Sequence, residues 1–307
     1  MSWERKGLTD LCDWSREDYE VFLGLASDYK RSLDSTSGRK KDILKGRVVV
    51  NLFFEPSTRT KVSFEMAEKL LGADVIDWSS SGSSLSKGET LRDTAWTLKA
   101  MGIDGLVVRH GRAGFPLFLQ KLLPGVAIIN GGDGARSHPT QALLDLLSAT
   151  EALGSLDGVP VVIAGDVGHS RVARSVARAF STMGARITFA GPKSLMPADV
   201  ESLGGVYRPD GLQEVKDAGI VYLLRIQKER QQQEEFFPST DEYHRYFGAS
   251  TESIPQGTLI MHPGPINRGV EISSAVADGP NNLILDQVRS GVAARMAILD
   301  LCLGGVA

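Results

Sequence analysis

The sequence predicts an α/β protein of two domains, each with a mostly parallel sheet flanked by helices. Three observations predict it. Short apolar runs alternate with helical patterns along most of the chain. The alternation pauses at one long helical pattern, Thr140 to Leu153, and then restarts. Polar clusters fall just after the apolar runs, where parallel sheets bind their ligands. A chain of 307 residues suits two domains and buries a full core without metal or disulfide support.

In chain order, Ser15-Arg16-Glu17-Asp18 has the form of a capping box and opens a helix to about Ser32. A polar stretch, Asp34 to Lys41, leads to the apolar run Val48–Leu52, read as a buried strand, with helical residues at Met66–Leu71 beyond it. Strand-like runs follow at Asp74–Trp78, Gly105–Arg109 and Ala127–Asn130, separated by helical patterns at Glu89–Met101 and Pro116–Leu122. The second block has strands at Val159–Ala164, Arg186–Ala190, Ile220–Leu224 and Thr258–Met261, with a helix at Ser170–Met183. The amphipathic segment Leu285–Leu301 is expected to pack back across the molecule. The expected domains are residues 1–140, completed by 285–307, and residues 141–284.

The bulk composition excludes several classes. Hydrophobic content of 42% with 23% charged residues is that of an ordinary globular protein. A formal net charge of −3 gives no support to nucleic-acid binding, so a basic site must be local. Only two cysteines, Cys12 and Cys302, rule out a disulfide framework or a cysteine-rich zinc site. The charged opening has no signal core, and no segment is long and apolar enough to span a membrane. A cytoplasmic protein is expected.

Phe53-Phe54-Glu55-Pro56-Ser57-Thr58-Arg59-Thr60 stands where a strand hands over to a helix. A helix start offers unpartnered N–H groups and the positive end of its dipole. Hydroxyls and a guanidinium there suit a phosphate, or else Ser57 or Thr58 simply caps the helix. Further polar clusters end later strands: Arg109; Ser137-His138-Pro139-Thr140-Gln141; Asp166–Arg171; Arg225-Ile226-Gln227; and His262-Pro263-Gly264-Pro265. Singly, His138 reads as a cap, Arg109, Arg171 and Arg225 as solvated arginines, and His262–Pro265 as a rigid turn.

As an ordered set, FFEPSTRT, SLSKGETLRDT, VVRHG, HPTQALLD, GD…SR, RIQKER and HPGPINRGVEI resemble the aspartate carbamoyltransferase family over nearly the whole chain. The resemblance implies transfer of the carbamoyl group of carbamoyl phosphate to the amine of L-aspartate, early in pyrimidine synthesis, without metal or cofactor. It implies a carbamoyl phosphate-binding first domain, an aspartate-binding second domain and an active site in the cleft between them. Ser57, Thr58, Arg59, Thr60 and Arg109 match the family's phosphate contacts, His138 its carbamoyl-oxygen contact and Gln141 a neighbouring contact; Gly264 and Pro265 are likewise expected to bind carbamoyl phosphate. Arg59, Thr60, Arg109 and His138 would stabilise the oxyanion. Arg171, Arg225 and Gln227 match the aspartate contacts, which suits two arginines to a dicarboxylate.

The serine-rich stretch Ser79–Glu89 reads by composition as a flexible loop. The resemblance implies that it enters the site of an adjacent subunit, with Lys87 and Ser83 touching substrate, and hence a homotrimer. Regulatory chains and dihydroorotase both stay open as partners. Lys61, where arginine is usual, and Gly264, where leucine occurs, depart from the family pattern.

Three rivals compete. A dinucleotide fold fails because Val167 and Ser170 stand where Gly165–Arg171 would need glycine, and Arg186–Ala190 ends without an acidic residue. Ornithine carbamoyltransferase is disfavoured by the absence of cysteine from His262–Pro265 and by the positive charge of Arg225. A non-catalytic anion-binding subunit is disfavoured by the intact polar set. His110 and His169 are read as structural.

Overall fold

The computed structural model describes residues 3, 5–35, 39–79, 88–212, 216–227 and 239–304. The chain divides into two compact units, Met1–Leu144 with Val288–Ala307, and Asp145–Gln287.

The first unit is built on β1 (Val48–Phe53), β2 (Asp74–Ser79), β3 (Gly105–His110) and β4 (Ala127–Asp133), all parallel, in the order β2-β1-β3-β4. Continuous apolar runs such as Val48-Val49-Val50 form strands because helices cover both faces of a parallel sheet. The helices are α1 (Arg16–Asp34), α2 (Thr58–Leu71), α3 (Leu91–Ala100) and α4 (Phe115–Leu122). Val50, Leu52, Leu106, Val108, Ile128, Phe115 and Leu119 form one buried cluster. The expected capping box is present: Ser15 Oγ accepts the Asp18 N–H at 3.3 Å, and Asp18 Oδ2 accepts the Ser15 N–H at 2.9 Å.

The chain leaves this unit within α5 (Pro139–Leu153) and returns within α9 (Ile284–Leu299). The returning segment completes the first unit. Lys30 Nζ donates to Ser290 Oγ at 2.8 Å, Tyr29 OH to Asp300 at 2.8 Å, and the Arg295 guanidinium lies 4.9 Å from the Phe64 ring centre. A Cβ at Gly105 would come within 3.0 Å of the Leu303 side chain, so glycine there lets the returning segment pack closely on β3.

The second unit carries β5 (Pro160–Ala164), β6 (Arg186–Ala190), β7 (Gly205–Arg208), β8 (Ile220–Leu223) and β9 (Leu259–Met261), again all parallel, in the order β7-β6-β5-β8-β9. Its helices include α6 (Arg171–Thr182), α7 (Thr240–Phe247) and α8 (Ser274–Ala277). In each sheet the strand order reverses once, between β1 and β3 and between β5 and β8. Such switch points open a crevice beyond the strands' carboxyl ends.

Among the described residues, three α-helices or strands were not expected from the sequence: β7, α7 and the four-residue α8. Strand β7 lies at a sheet edge with half-buried and exposed residues, so it lacks an apolar run. Helix α7 is short and mostly polar, with only Tyr243 buried. Helix α2 also begins at Thr58, a full turn or more before the apolar residues that suggested it.

Candidate functional site

At the β1/β3 switch point of the first unit, the backbone register sets Phe53 opposite Arg109, and the Phe54 N–H donates to the Arg109 carbonyl at 2.9 Å. The β1–α2 turn and the end of β3 therefore lie side by side. Ser57 occupies the N-cap of α2, yet its hydroxyl makes no capping bond. In α1, α3, α6 and α7 the corresponding Ser15, Thr90, Ser170 and Ser239 all accept a backbone N–H. The difference counts against the capping role for Ser57 and leaves the N–H groups of the first turn of α2 without that cap. Thr58 and Arg59 are exposed, Ser57 is half-buried, and Thr60 is buried.

Arg109 is held by its neighbours. Nη1 donates to the Gly131 carbonyl at 3.1 Å, and Nε lies 3.5 Å from Glu55 Oε2. The Glu55 carboxylate thus orients a cation beside the first turn of α2. Next along the sheet, β4 runs into the loop that carries His138. Asp133, fully buried, shapes this loop: Oδ1 accepts from Asn130 at 2.9 Å and Oδ2 from the Gly114 N–H at 2.6 Å. Arg136 lies 3.4 Å from Asp133 Oδ2 and also pairs with Asp10. The His138 carbonyl opens α5 by accepting the Gln141 and Ala142 N–H groups; both His138 and Gln141 side chains are buried. Ser57–Thr60, Arg109, His138 and Gln141 therefore gather along the ends of β1, β3 and β4.

At the β5/β8 switch point of the second unit, a Cβ on Gly165 would sit 2.6 Å from the Leu224 carbonyl, so only glycine permits the close approach; its φ is +121°. Asp166 is buried between the two strand ends. Its Oδ2 accepts the Gln227 N–H at 3.1 Å, and Oδ1 lies 2.8 Å from His169 Nδ1. Arg171 is the first residue of α6 and is buried, while Ser170 caps that helix through the Ala173 N–H. Arg225 and Gln227 are half-buried just past β8.

Beyond β9, the His262–Pro265 segment is fixed by a chain of buried polar groups. His262 Nδ1 accepts the Gly264 N–H at 2.8 Å, and the His262 N–H donates to Gln287 Oε1 at 2.9 Å. Gln287 donates to Asp145 at 2.7 Å, and the Tyr222 hydroxyl donates to the same carboxylate at 2.6 Å. Glu271 Oε1 lies 3.2 Å from His262 Nε2 and accepts the Asn267 N–H at 2.5 Å. Gly264 and Pro265 are in this way held just beyond the end of β9, the strand next to β8.

Ser83 and Lys87 lie outside the described residues. His110 packs between Phe54 and Phe115, and burial lowers its basicity. The supporting carboxylates Glu55, Asp133, Asp166 and Glu271 were not singled out as holders of the site; their signal was an acid placed within or beside each cationic motif. Among the described residues, no group of three His, Cys, Asp or Glu side chains is set to hold a metal ion.

Comparison with known proteins bears on what these sets do. Residues 6–151 match the family model described as aspartate/ornithine carbamoyltransferase, carbamoyl-P binding domain, and residues 157–302 match that family's Asp/Orn binding domain. The chain is 47% identical over 308 residues to the aspartate carbamoyltransferase catalytic subunit of Opitutus terrae, covering 99% of this chain and 97% of the relative. It is 48% identical over 297 residues to that of Anaeromyxobacter sp., covering 95% and 94%. Among solved structures, aspartate transcarbamoylase from Trypanosoma cruzi in complex with carbamoyl phosphate and aspartate superposes with a TM-score of 0.86 at 32% identity, covering 98% and 97% of the two chains. Ornithine carbamoyltransferase from Pyrococcus furiosus gives the same TM-score, 0.86, at 29% identity with full coverage of both.

Proposed function

The chain belongs to the aspartate/ornithine carbamoyltransferase family, and from that premise we propose that it moves the carbamoyl group of carbamoyl phosphate to the amine of L-aspartate. The products are N-carbamoyl-L-aspartate and phosphate, in the synthesis of pyrimidines. Backbone similarity alone does not choose between aspartate and ornithine, because both kinds of enzyme superpose equally well. The choice rests on the amino-acid half-site. Arg171 and Arg225 flank the β5/β8 switch point, and two guanidiniums suit the two carboxylates of aspartate. Ornithine carries a second amine instead, and the His262–Pro265 segment lacks the cysteine expected in an ornithine enzyme.

Ser57, Thr58, Arg59, Thr60 and Arg109 bind the phosphate in this reading, and His138 and Gln141 bind the carbamoyl group. The Gly264–Pro265 segment offers backbone carbonyls to the substrate's N–H groups. Attack by the neutral amine makes a tetrahedral oxyanion, stabilised by Arg59, Thr60, Arg109 and His138 acting as fixed donors. The departing phosphate accepts the amine proton, so the protein need supply no further base. The first domain, residues 1–140 with 285–307, handles carbamoyl phosphate, and residues 141–284 handle aspartate.

The enzyme works in the cytoplasm as a homotrimer in which Ser83 and Lys87 serve a neighbouring subunit's site. Regulatory chains or dihydroorotase are the candidate further partners. A steady-state assay with carbamoyl phosphate and each amino acid tests the substrate: phosphate release with aspartate and none with ornithine is expected. Release with ornithine alone would overturn the assignment. Native mass measurement tests the trimer.

A further inference from the structure

Helix α2, which begins with the proposed anion-binding turn, carries a glutamate on its buried face. Glu68 has no exposed surface, and Asn51 in the middle of β1 donates its amide Nδ2 to Glu68 Oε2 at 2.7 Å. This bond joins the strand before the turn to the helix after it. Two buried oxygens of the same pair, Glu68 Oε1 and Asn51 Oδ1, have no hydrogen-bond partner among the described residues. Both are acceptors when the carboxylate is ionised, and a buried acceptor left unpaired is costly. A single proton on Glu68 Oε1 would serve both.

We propose that Glu68 is a positioning residue kept as the neutral acid, closing a two-bond carboxyl–amide ring with Asn51 beneath the phosphate-binding turn. The amide donates to one carboxyl oxygen, and the carboxyl O–H donates back to the amide oxygen. The surroundings favour the acid form. Lys69, on the same helix, pairs with Glu65 at 2.6 Å, and Lys61 pairs with Asp77 of β2 at 2.6 Å. Arg295 of α9 lies over Phe64, one turn before Glu68, and donates to the Gly291 carbonyl at 2.8 Å. Burial, the largest effect, pushes the Glu68 carboxyl up to about 8; the Asn51 bond, next in size, opposes it, Glu65 and Asp77 add to it, and Lys69 opposes it least.

The consequence for the reaction rests on reading the start of α2 as the phosphate site. Glu68 stands eight residues beyond Thr60, about 12 Å along the axis. A full negative charge at that range, at an effective dielectric of about 20, opposes a phosphate by about tenfold in affinity per ligand charge. Ionisation also opens the ring that fixes α2 against β1. Carbamoyl phosphate binding therefore weakens as the solution becomes alkaline, through a residue that does not touch it.

The test uses the full-length protein and its Glu68→Gln and Glu68→Met variants, each first shown to melt cooperatively. Infrared spectra at pH 6 should show a protonated-carboxyl C=O band in the parent that both variants lack. Inorganic phosphate should bind the parent and Glu68→Gln equally at pH 6, because a Gln–Asn amide pair also closes a ring, and Glu68→Met several-fold more weakly. At pH 9.5, where inorganic phosphate is a dianion, the parent should bind it about a hundredfold more weakly than Glu68→Gln does, or about tenfold per ligand charge. Identical infrared spectra would show Glu68 ionised and overturn the proposal. Full-strength binding by Glu68→Met, or parallel pH curves, would overturn the positioning role. Phosphate binding to none of the three, with the band present, would leave the ring standing and refute the phosphate-site reading instead.

Discussion

The buried Asp166 carboxylate accepts the Gln227 backbone N–H at 3.1 Å, joining the end of β8 to the turn that opens α6. Its other oxygen holds His169 at 2.8 Å. One side chain therefore sets the spacing between Arg171 and Arg225, the proposed holders of the two carboxylates of aspartate. Replacing Asp166 by alanine should raise the KM for aspartate at least tenfold and lower kcat, with inorganic phosphate affinity unchanged. An unpaired buried N–H costs about 1–3 kcal/mol. Steady-state kinetics beside phosphate-binding calorimetry separate the two effects; equal loss of both ligands would contradict the division of labour between the units.

Arg109→Lys keeps the charge but gives up the planar fork that reaches the Gly131 carbonyl and Glu55 together. The KM for carbamoyl phosphate should rise about tenfold or more, with a smaller change for aspartate. Glu55→Gln should reproduce part of the effect, because it frees the same guanidinium. A change confined to aspartate would remove Arg109 from the phosphate side.

The arginines of the second unit are separable from each other. Arg225→Ala should lower kcat/KM for aspartate by about a hundredfold, consistent with losing a charge-assisted carboxylate contact. A monocarboxylate amine such as alanine should be affected far less by the same substitution, since it offers one acid group. Competition assays with succinate, a dicarboxylate without the amine, report the same loss as weaker inhibition.

Glu68 makes stability depend on pH with a definite sign. Its folded value of about 8 lies above its ordinary 4.5, so the folded chain holds a proton that the unfolded chain releases. Stability from this group is full below pH 4.5, declines between 4.5 and about 8, and is flat above. Glu68→Gln should raise the melting temperature at pH 9, by an amount corresponding to roughly 5 kcal/mol, and leave it nearly unchanged at pH 4. Calorimetry at the two pH values is the check.

If the site is shared between subunits, Arg59→Ala and Lys87→Ala chains, each inactive alone, should regain activity when exchanged into mixed trimers. Random mixing forms some sites that contain neither substitution. No recovery after exchange has been verified by native mass measurement would show that each chain builds its site unaided.

The parallel strands, the capping box at Ser15 and the polar residues after each strand were legible because they are local: apolar runs, a three-residue spacing, and strand-end position. What escaped notice depends on contacts between distant segments. Asp133 is defined by Gly114, Asp166 by Gln227, and Glu68 by Asn51, and none of these pairings has a fixed spacing in the chain. Strand β7 escaped for a different reason: an edge strand with exposed alternate residues needs no apolar run. Ser57 shows the converse. Its sequence suits a cap, and only the unused hydroxyl tells it apart from the serines that do cap.

The return of α9 to the first unit has a bearing on how the protein is made. Residues 145–287 form one uninterrupted stretch, whereas the earlier unit awaits Ser290, Arg295, Asp300 and Leu303 to cover Lys30, Phe64, Tyr29 and Gly105. On the ribosome, the later-made unit has its whole sequence first. A chain truncated after residue 287 and released from the ribosome would present a protease-resistant second unit joined to a first that is still open to cleavage.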